Sequence, residues 1–546
     1  MAHSSKIFES QPIRVQNVNG FDLSHLNSGT AKCGQLTPVL CRLLMQNTKF
    51  SLGCSLQVEL PPLATKFFGR IDAHIEVFFC PCSILYGGWK QFITGNMSTA
   101  FSNYLDSNGV TSFSLPQFSM TVAVSQVIAA LESVNDGLLD YMGFRFTGAI
   151  SGSPRYFNLL PLVAYHRIWD CFYRNPSVTR TIFTVNPNLN GSLLYPKNVS
   201  LVWHSFYSED NASYSGVFSA VSSLTFPDGV SVFKMRQRNY PRDYFTAASV
   251  SPVQPGSALS SLAFTVDTTT GDGEFTIGAL RAANSLQKFF EAGNYDPSYK
   301  GAMRSHFGTA PSDSDRDEPV YIGRLVVPVY QKSVYNSNGI ADGVTSNNPY
   351  AGQLAGRGGH ASFNGEGTIT QKFTAGCFGY LIGLFSLVPH ANYAYGIEKH
   401  WDCVSLGDFP FPELQSVGMD AIKNSEIYSE SSLSSGDFAY IPRYSYWKYV
   451  DDSVHGELRP GKSLESFVLQ RRFAAAPAFG TSFLEIPQNA LDSVFAVSVE
   501  DSHFSCWYEV FWVFKAVMPL AAFCVPTLGD LQDTHTIKTT QGGSRL

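Results

Sequence analysis

Strict two-residue alternation over Arg70–Phe79, in RIDAHIEVFF, constrains this chain more than any other feature. Ile71, Ala73, Ile75, Val77 and Phe79 fall on one side of an extended strand, and Asp72, His74 and Glu76 on the other. That is the pattern of a half-buried β-strand, which a helix cannot satisfy. Leu56, Val58 and Leu60 repeat it just upstream, and Pro61-Pro62 stops the strand. Val494–Glu500 reads the same way through Phe495, Val497 and Val499. Phe504–Val517 is apolar on nearly both faces, as expected of a central strand covered from two sides. Gly323–Val334 and Thr368–Leu387 add further strand-like runs.

Helical spacing is rarer. Val127, Ala130, Leu131, Val134 and Leu138 form a stripe within Ser125–Tyr141. Leu160–Tyr173 reads as an aromatic, partly buried helix starting near Pro161, and Ile277–Ala292 as an amphipathic one. Long Gly-, Ser- and Asn-rich stretches separate these elements, chiefly 187–229, 247–273, 336–367 and 429–436. Loops of that length are uncommon in compact domains. No linker or internal repeat divides the 546 residues. Strands near both ends with long insertions between them suit one mainly β body of the eight-stranded antiparallel jelly-roll type. In that reading 1–45 is an N-terminal arm and 97–155, 186–233 and 247–277 are insertions. The segment 336–367 is a glycine-rich loop, and 520–546 is a C-terminal tail.

Composition bears on the surface. Charged residues make up 15% of the chain and aromatics 14%, with 42 Phe and 26 Tyr. Ordinary soluble domains carry roughly 25% charge. Depleted charge with enriched rings fits either a large β core or a surface covered by neighbouring subunits. A net charge of −6 argues against a surface that grips nucleic acid all over, and leaves room for a local basic patch. The N-terminus lacks the apolar core of a signal peptide. The uncharged run Phe373–Ile397 is strongly apolar only over Cys377–Val388, too short for the ~20 residues of a membrane span. The chain is therefore read as soluble, without membrane insertion, and the four Asn-x-Ser triplets as chance matches.

Catalytic signatures are missing: there is no GxSxG, HExxH or P-loop, and Gly356–His360 lacks the Lys-Ser/Thr of a phosphate loop. Ten cysteines are scattered without a CxxC pair, so reduced, buried thiols are expected, and no cofactor. Cys80-Pro-Cys82 would put two thiols on one strand face. Asp313, Asp315 and Asp317 alternate as in cation loops but lack the glycine and distal Glu of an EF-hand. They fit a solvated acidic loop or a divalent-ion site. Lys234, Arg236, Arg238 and Arg242 interleave with Tyr240, Tyr244 and Phe245, and Arg443 and Lys448 with Tyr444, Tyr446, Trp447 and Tyr449. Cations beside stackable rings suit single-stranded nucleic acid. They equally suit Arg–carboxylate pairs between subunits.

The order of the short motifs resembles the major capsid proteins of the Gokushovirinae and related Microviridae. The resemblance begins with Phe21-Asp-Leu-Ser-His25, Gly34-Gln-Leu-Thr-Pro38 and Trp89-Lys-Gln-Phe-Ile-Thr-Gly95. It continues through Gly137–Gly143, Leu160–Trp169, Arg174-Asn-Pro176 and Arg242-Asp-Tyr-Phe-Thr246. Leu280–Ala283, Gln287–Glu291, Arg304–Gly308 and Gly379–Gly383 follow, then Phe411–Leu414, Ile441–Tyr444 and Val454–Arg459. The family implies a structural protein, sixty copies of which form a T=1 icosahedral shell around circular single-stranded DNA. It also implies a DNA pilot protein, an internal scaffolding protein, a small basic DNA-binding protein and a host surface receptor. Assembly would take place in the host bacterial cytoplasm, and the mature location would be the virion. One departure stands out: the interval 247–277, where gokushoviruses usually carry a long projecting insertion, is short. Either the projection is reduced or 187–229 takes over its role. An outer-membrane-type β-barrel and a β-sandwich carbohydrate-binding protein or glycosidase are the alternatives. The first needs a signal peptide and evenly spaced strands. The second needs carboxylates paired in a cleft.

Overall fold

The computed structural model describes residues 18–94 (without 62, 64–66, 87 and 88), 115–145, 155–182 (without 180) and 217–251 (without 219–223 and 227). It further describes 318–329, 360–361, 371–520 (without 416–418 and 430–435) and the isolated positions 281, 285, 304, 307 and 308. The protein is mainly β. Its principal strands are β1 (Asn19–Asp22), β2 (His25–Ala31), β3 (Thr37–Leu44), β4 (Lys49–Glu59) and β5 (Ile71–Pro81). They continue with β6 (Val320–Val329), β7 (Gln371–Thr374), β8 (Gly379–Pro389) and β9 (Cys506–Met518). In the first sheet β9 pairs with β1 and β2 on one side and β4 on the other, and β4 then pairs with β7 and His360–Ala361. The second sheet runs β3-β8-β5-β6. Every pairing in both sheets is antiparallel.

The two sheets share one core. The fully buried Trp512 of β9 donates its indole N–H to the Val39 carbonyl of β3 at 3.1 Å. Its ring passes so close to Gly383 of β8 that an added Cβ there would lie 3.3 Å from it. Phe385 of β8 and Tyr508 of β9 approach to 4.6 Å between ring centres. Ile71, Ala73, Ile75, Val77 and Phe79 point into this core, as their alternation requires, and so do Leu56, Val58 and Leu60. All eleven residues of β8 are buried, which accounts for the apolar run that is too short for a membrane span. Among the described residues no helix is long and apolar enough to cross a membrane.

A second apolar layer covers the far side of the β3-β8-β5-β6 sheet. Helix α2 (Leu160–Phe172), after α1 (Val122–Ser133) in the chain, supplies ten buried residues to it. Asn158 starts α2 by accepting the Leu160 N–H at 3.0 Å, and Pro161 suits the first turn. The layer reaches Phe78, Cys80, Ile382 and Leu384, the residues of β5 and β8 that face away from the shared core. The polar side of β5 is therefore covered, contrary to the reading of Asp72, His74 and Glu76 as outward. Asp72 pairs with Arg70 and His390, each at 2.9 Å, while Glu76 pairs with Arg238 at 2.7 Å and accepts the Tyr173 hydroxyl at 2.5 Å.

Three further expectations are corrected. Val494–Glu500 forms turns and the start of a short helix, Val499–Ser502, and Val497 is exposed. Local bonds win there: Asp492 accepts the Val499 N–H, and Ser498 caps the helix. Helix α1 begins earlier than its predicted stripe, capped by Thr121, and buries Val124, Ser125 and Ile128. It stops before Asn135, whose φ of 55° ends the helical path. Of the segment read as an N-terminal arm, 1–17 lies outside the described residues, and Asn19–Leu44 supplies three strands. Most of 277–292, of the two candidate projecting segments 187–229 and 247–277, and of 336–367 and 520–546 also lies outside them.

Candidate interaction surfaces

The basic cluster at 234–242 is divided by the fold. Arg236 is buried between the Trp169 and Phe226 rings, 4.5 and 5.1 Å from their centres. It pairs with Asp228 and donates to His166 Nδ1 at 3.2 Å. Burial and that guanidinium hold His166 well below the usual histidine range. Arg238 spends its guanidinium on Glu76 and Ser386 and lies over Tyr173. Neither can meet a partner outside the chain without breaking these contacts. Lys234 is half exposed, 3.7 Å from Asp136, and Arg242 is exposed and forms no ion pair among the described residues. In the second stretch Arg443 lies 3.7 Å from Asp420 and over Tyr444, whereas Lys448 is exposed. Three of the six candidate cations are thus exposed enough to reach outward, Arg242, Lys448 and, although paired with Asp136, Lys234. Asp313, Asp315 and Asp317 lie outside the described residues.

Cys80 and Cys82 do not share a strand face. Cys80 belongs to β5 and Cys82 opens a one-turn helix, Cys82–Leu85. Both are buried, and desolvation raises the Cys82 thiol to about 12 and holds the Cys80 thiol well above its ordinary value. Thiols held protonated in this way are poor nucleophiles and metal ligands.

Two polar centres escaped the sequence reading. Lys32, buried, pairs with Asp136 at 2.8 Å, and Gln35 and Gln488 donate to the same carboxylate oxygen at 3.3 and 3.1 Å. Arg471 sits between the Phe483 and Tyr240 rings, 4.0 and 4.4 Å from their centres, and donates to the Phe483 carbonyl at 2.5 Å. It backs an open cleft of about 440 Å³ whose lining includes Gln470 and Arg472. No local spacing announces either centre, because the partners lie far apart in the chain.

The outer face of the first sheet differs from expectation. Along β9 every second residue is exposed, so the strand is covered on one side only. Trp507, Phe511 and Val513 stand 39–45% exposed on that face, with Leu26 of β2 at 54%. Glu509 and Lys515 share that face, so apolar and charged side chains are interspersed along it.

A β sandwich with Arg236 and Arg238 spent on internal partners, its Cys80 and Cys82 thiols desolvated and apolar side chains exposed on one sheet face has the properties of an assembling structural protein. The comparisons agree. The family model described as "Capsid protein (F protein)" matches residues 13–257 and 263–528. The chain belongs to this family of phage capsid proteins. The capsid protein VP1 of Chlamydia phage 1 is 22% identical over 616 residues, covering 95% of this chain and 97% of that protein. VP1 of Bdellovibrio phage phiMH2K is 22% identical over 521 residues, covering 88% and 90%. Both relatives belong to the Microviridae, within the Gokushovirinae, as the motif order implied. The protein is structural and not an enzyme.

Proposed function

We propose that sixty copies of this chain form a T=1 icosahedral shell around circular single-stranded DNA, each copy built on an eight-stranded jelly roll. The observation that carries the reading is strand order. Counting β2 as the first strand and β9 as the eighth, the sheets run first-eighth-third-sixth and second-seventh-fourth-fifth. That is the order in which a folded-over hairpin of eight strands pairs with itself, as in viral capsid domains. A DNA pilot protein, an internal scaffolding protein, a small basic DNA-binding protein and a host receptor complete the system. With such a basic partner inside, the capsid chain itself can remain mildly acidic. Lys234, Arg242 and Lys448 would meet the genome or a neighbouring subunit, and Asp313, Asp315 and Asp317, by their alternation in the sequence alone, would bind a divalent ion.

Electron microscopy of the purified chain tests the shell. Isometric particles roughly 25–30 nm across are expected if sixty such chains at ordinary packing density surround a small genome. Monodisperse monomers under all conditions of salt, pH and divalent ion would overturn it. Neutralising Lys234, Arg242 and Lys448 together and measuring particle yield and DNA content tests the surface cations. If neither changes, they serve neither role.

A further inference from the structure

The largest apolar exposure among the described residues is not on the sheet. It lies on two loops in the long connection between β8 and β9. The first, 398–415, winds through three short 3₁₀ turns, Lys399–Asp402, Leu406–Asp408 and Pro412–Leu414. The second follows the turn Ser445–Lys448. Trp401 is 72% exposed, Val404 89%, Leu406 78%, Phe409 50%, Tyr449 61% and Val450 99%. Direct contacts join the loops into one surface. His400 Nδ1 and the Tyr446 hydroxyl lie 3.1 Å apart, and the Phe411 N–H donates to the Tyr444 hydroxyl at 3.2 Å.

We infer that this loop surface is a contact between copies of the chain, made when the shell assembles; the inference rests on the capsid reading above. Area is the first argument. At those exposures the six side chains present on the order of 700 Å² of apolar surface, beyond the 300–600 Å² of the largest patch on a typical monomer. It approaches the ~800 Å² that one partner contributes to a standard interface.

Rigidity is the second argument. The Asp408 carboxylate accepts from Ser405 N–H and Oγ, each at 2.7 Å, and from the Val404 N–H at 3.2 Å. It thereby fixes the turn that displays Val404 and Leu406. Lys423 pairs with Asp402 at 3.2 Å beside Trp401. Apolar groups already held in place lose little freedom on being covered, so their burial appears almost fully as affinity. Stoichiometry is the third. Left bare on every subunit of a particle, such a patch would make particles stick to one another. The partner that covers it must be as abundant as the chain, and another copy is.

The test compares wild type with Val404→Asp and Val450→Asp, chosen because near-complete exposure makes a folding defect in the free subunit small, and with Val404→Leu. Circular dichroism monitors folding, sedimentation the oligomeric state, microscopy the particles, and a binding assay adsorption to host cells. Each Asp variant is expected to stay folded and soluble while the concentration needed for assembly rises about tenfold or more, and Val404→Leu is expected to assemble like wild type. Asp variants that assemble at the wild-type concentration overturn the inference. Normal particles that lose adsorption also overturn it and assign the surface to the host. If wild type forms small oligomers but no shell, the capsid reading fails alone, and the surface stands if the Asp variants dissociate those oligomers. A strictly monomeric wild type overturns both.

Discussion

Replacing Arg238 with Met separates the structural role of the basic cluster from a role at the genome. Arg238 Nη1 lies 2.7 Å from Glu76 Oε2, and the two side chains are only 17% and 11% exposed. Removing the cation leaves Glu76 beneath the helical layer with the Tyr173 hydroxyl as its remaining strong partner. Breaking one side of a buried pair costs 3–5 kcal/mol. Because Tyr173 still donates and some water reaches the pair, the low end applies, about 3 kcal/mol. Glu76→Gln alone should cost a similar amount by stranding the guanidinium. The double variant strands neither charge, so its cost should fall short of the sum by about 2–3 kcal/mol. Arg242→Met, which touches an exposed side chain, should stay within about 0.5 kcal/mol of wild type. Urea denaturation of subunits held below the assembly concentration measures all four. An Arg238→Met subunit as stable as wild type, or a strictly additive double variant, would refute the argument. Particles of that variant with normal stability but little DNA would turn Arg238 toward the genome.

Further expectations concern acid–base behaviour, backbone fit and the two faces of β9. Burial raises Glu485 to about 7 despite the nearby Arg236. The folded chain therefore holds a proton there that the unfolded chain has released, and wild type loses stability as pH rises from about 4.5 to about 7. Glu485→Gln should remove that loss, so the gap between the two unfolding free energies from urea titration widens across the window by at most about 1.4 kcal/mol per pH unit, while parallel profiles would refute it. A Cβ at Gly396 would overlap the Glu426 backbone carbonyl, which cannot rotate away, so Gly396→Ala should cost more than about 3 kcal/mol and abolish soluble yield; a normal yield would show that the segment can shift. Trp512→Ala should cost about 3–5 kcal/mol in subunit stability, whereas Trp507→Ala on the other face should leave it nearly unchanged; equal losses would contradict the one-sided burial of β9.

Where period-two patterning coincided with a long hydrogen-bonded ladder, as over Ile71–Phe79 and Leu56–Leu60, the inward face was legible to the residue. The other face was not, because polarity records only that a side chain needs a partner. Besides the neighbouring Arg70, Asp72 found a partner in His390, 318 residues away, and Glu76 found Arg238, 162 residues away. The error on β9 ran in the opposite sense. Trp507, Phe511 and Val513 are apolar yet exposed, so hydrophobicity there did not report burial by the described residues. Val494–Glu500 alternates over seven residues but sits among Asp and Ser side chains able to bond the backbone locally, and those bonds replaced the ladder. The basic cluster was legible as chemistry but not as a place: the same residue type is buried at Arg236 and exposed at Arg242.

The strand registers explain why only one sheet is left bare. Gly379, at the start of β8, lies opposite Leu44 and Pro81, so the connections 45–48, 82–319 and 375–378 leave from one end of the sandwich. Pro389 lies opposite Ile71, so 60–70 and 390–505 leave from the other. Yet Arg238, within the 82–319 connection, donates its N–H to the Gly34 carbonyl at 2.8 Å, and Gln237 bridges Gln35. Gly34 and Gln35 belong to the turn between β2 and β3, at the far end. The long connection must therefore run the full length of the β3-β8-β5-β6 sheet, and α2 with its ten buried residues is the part that covers it. No described segment makes the same crossing over β9. Among the described residues the chain thus covers one sheet along its length with its own insertion and leaves the rings of Trp507 and Phe511 exposed on the other.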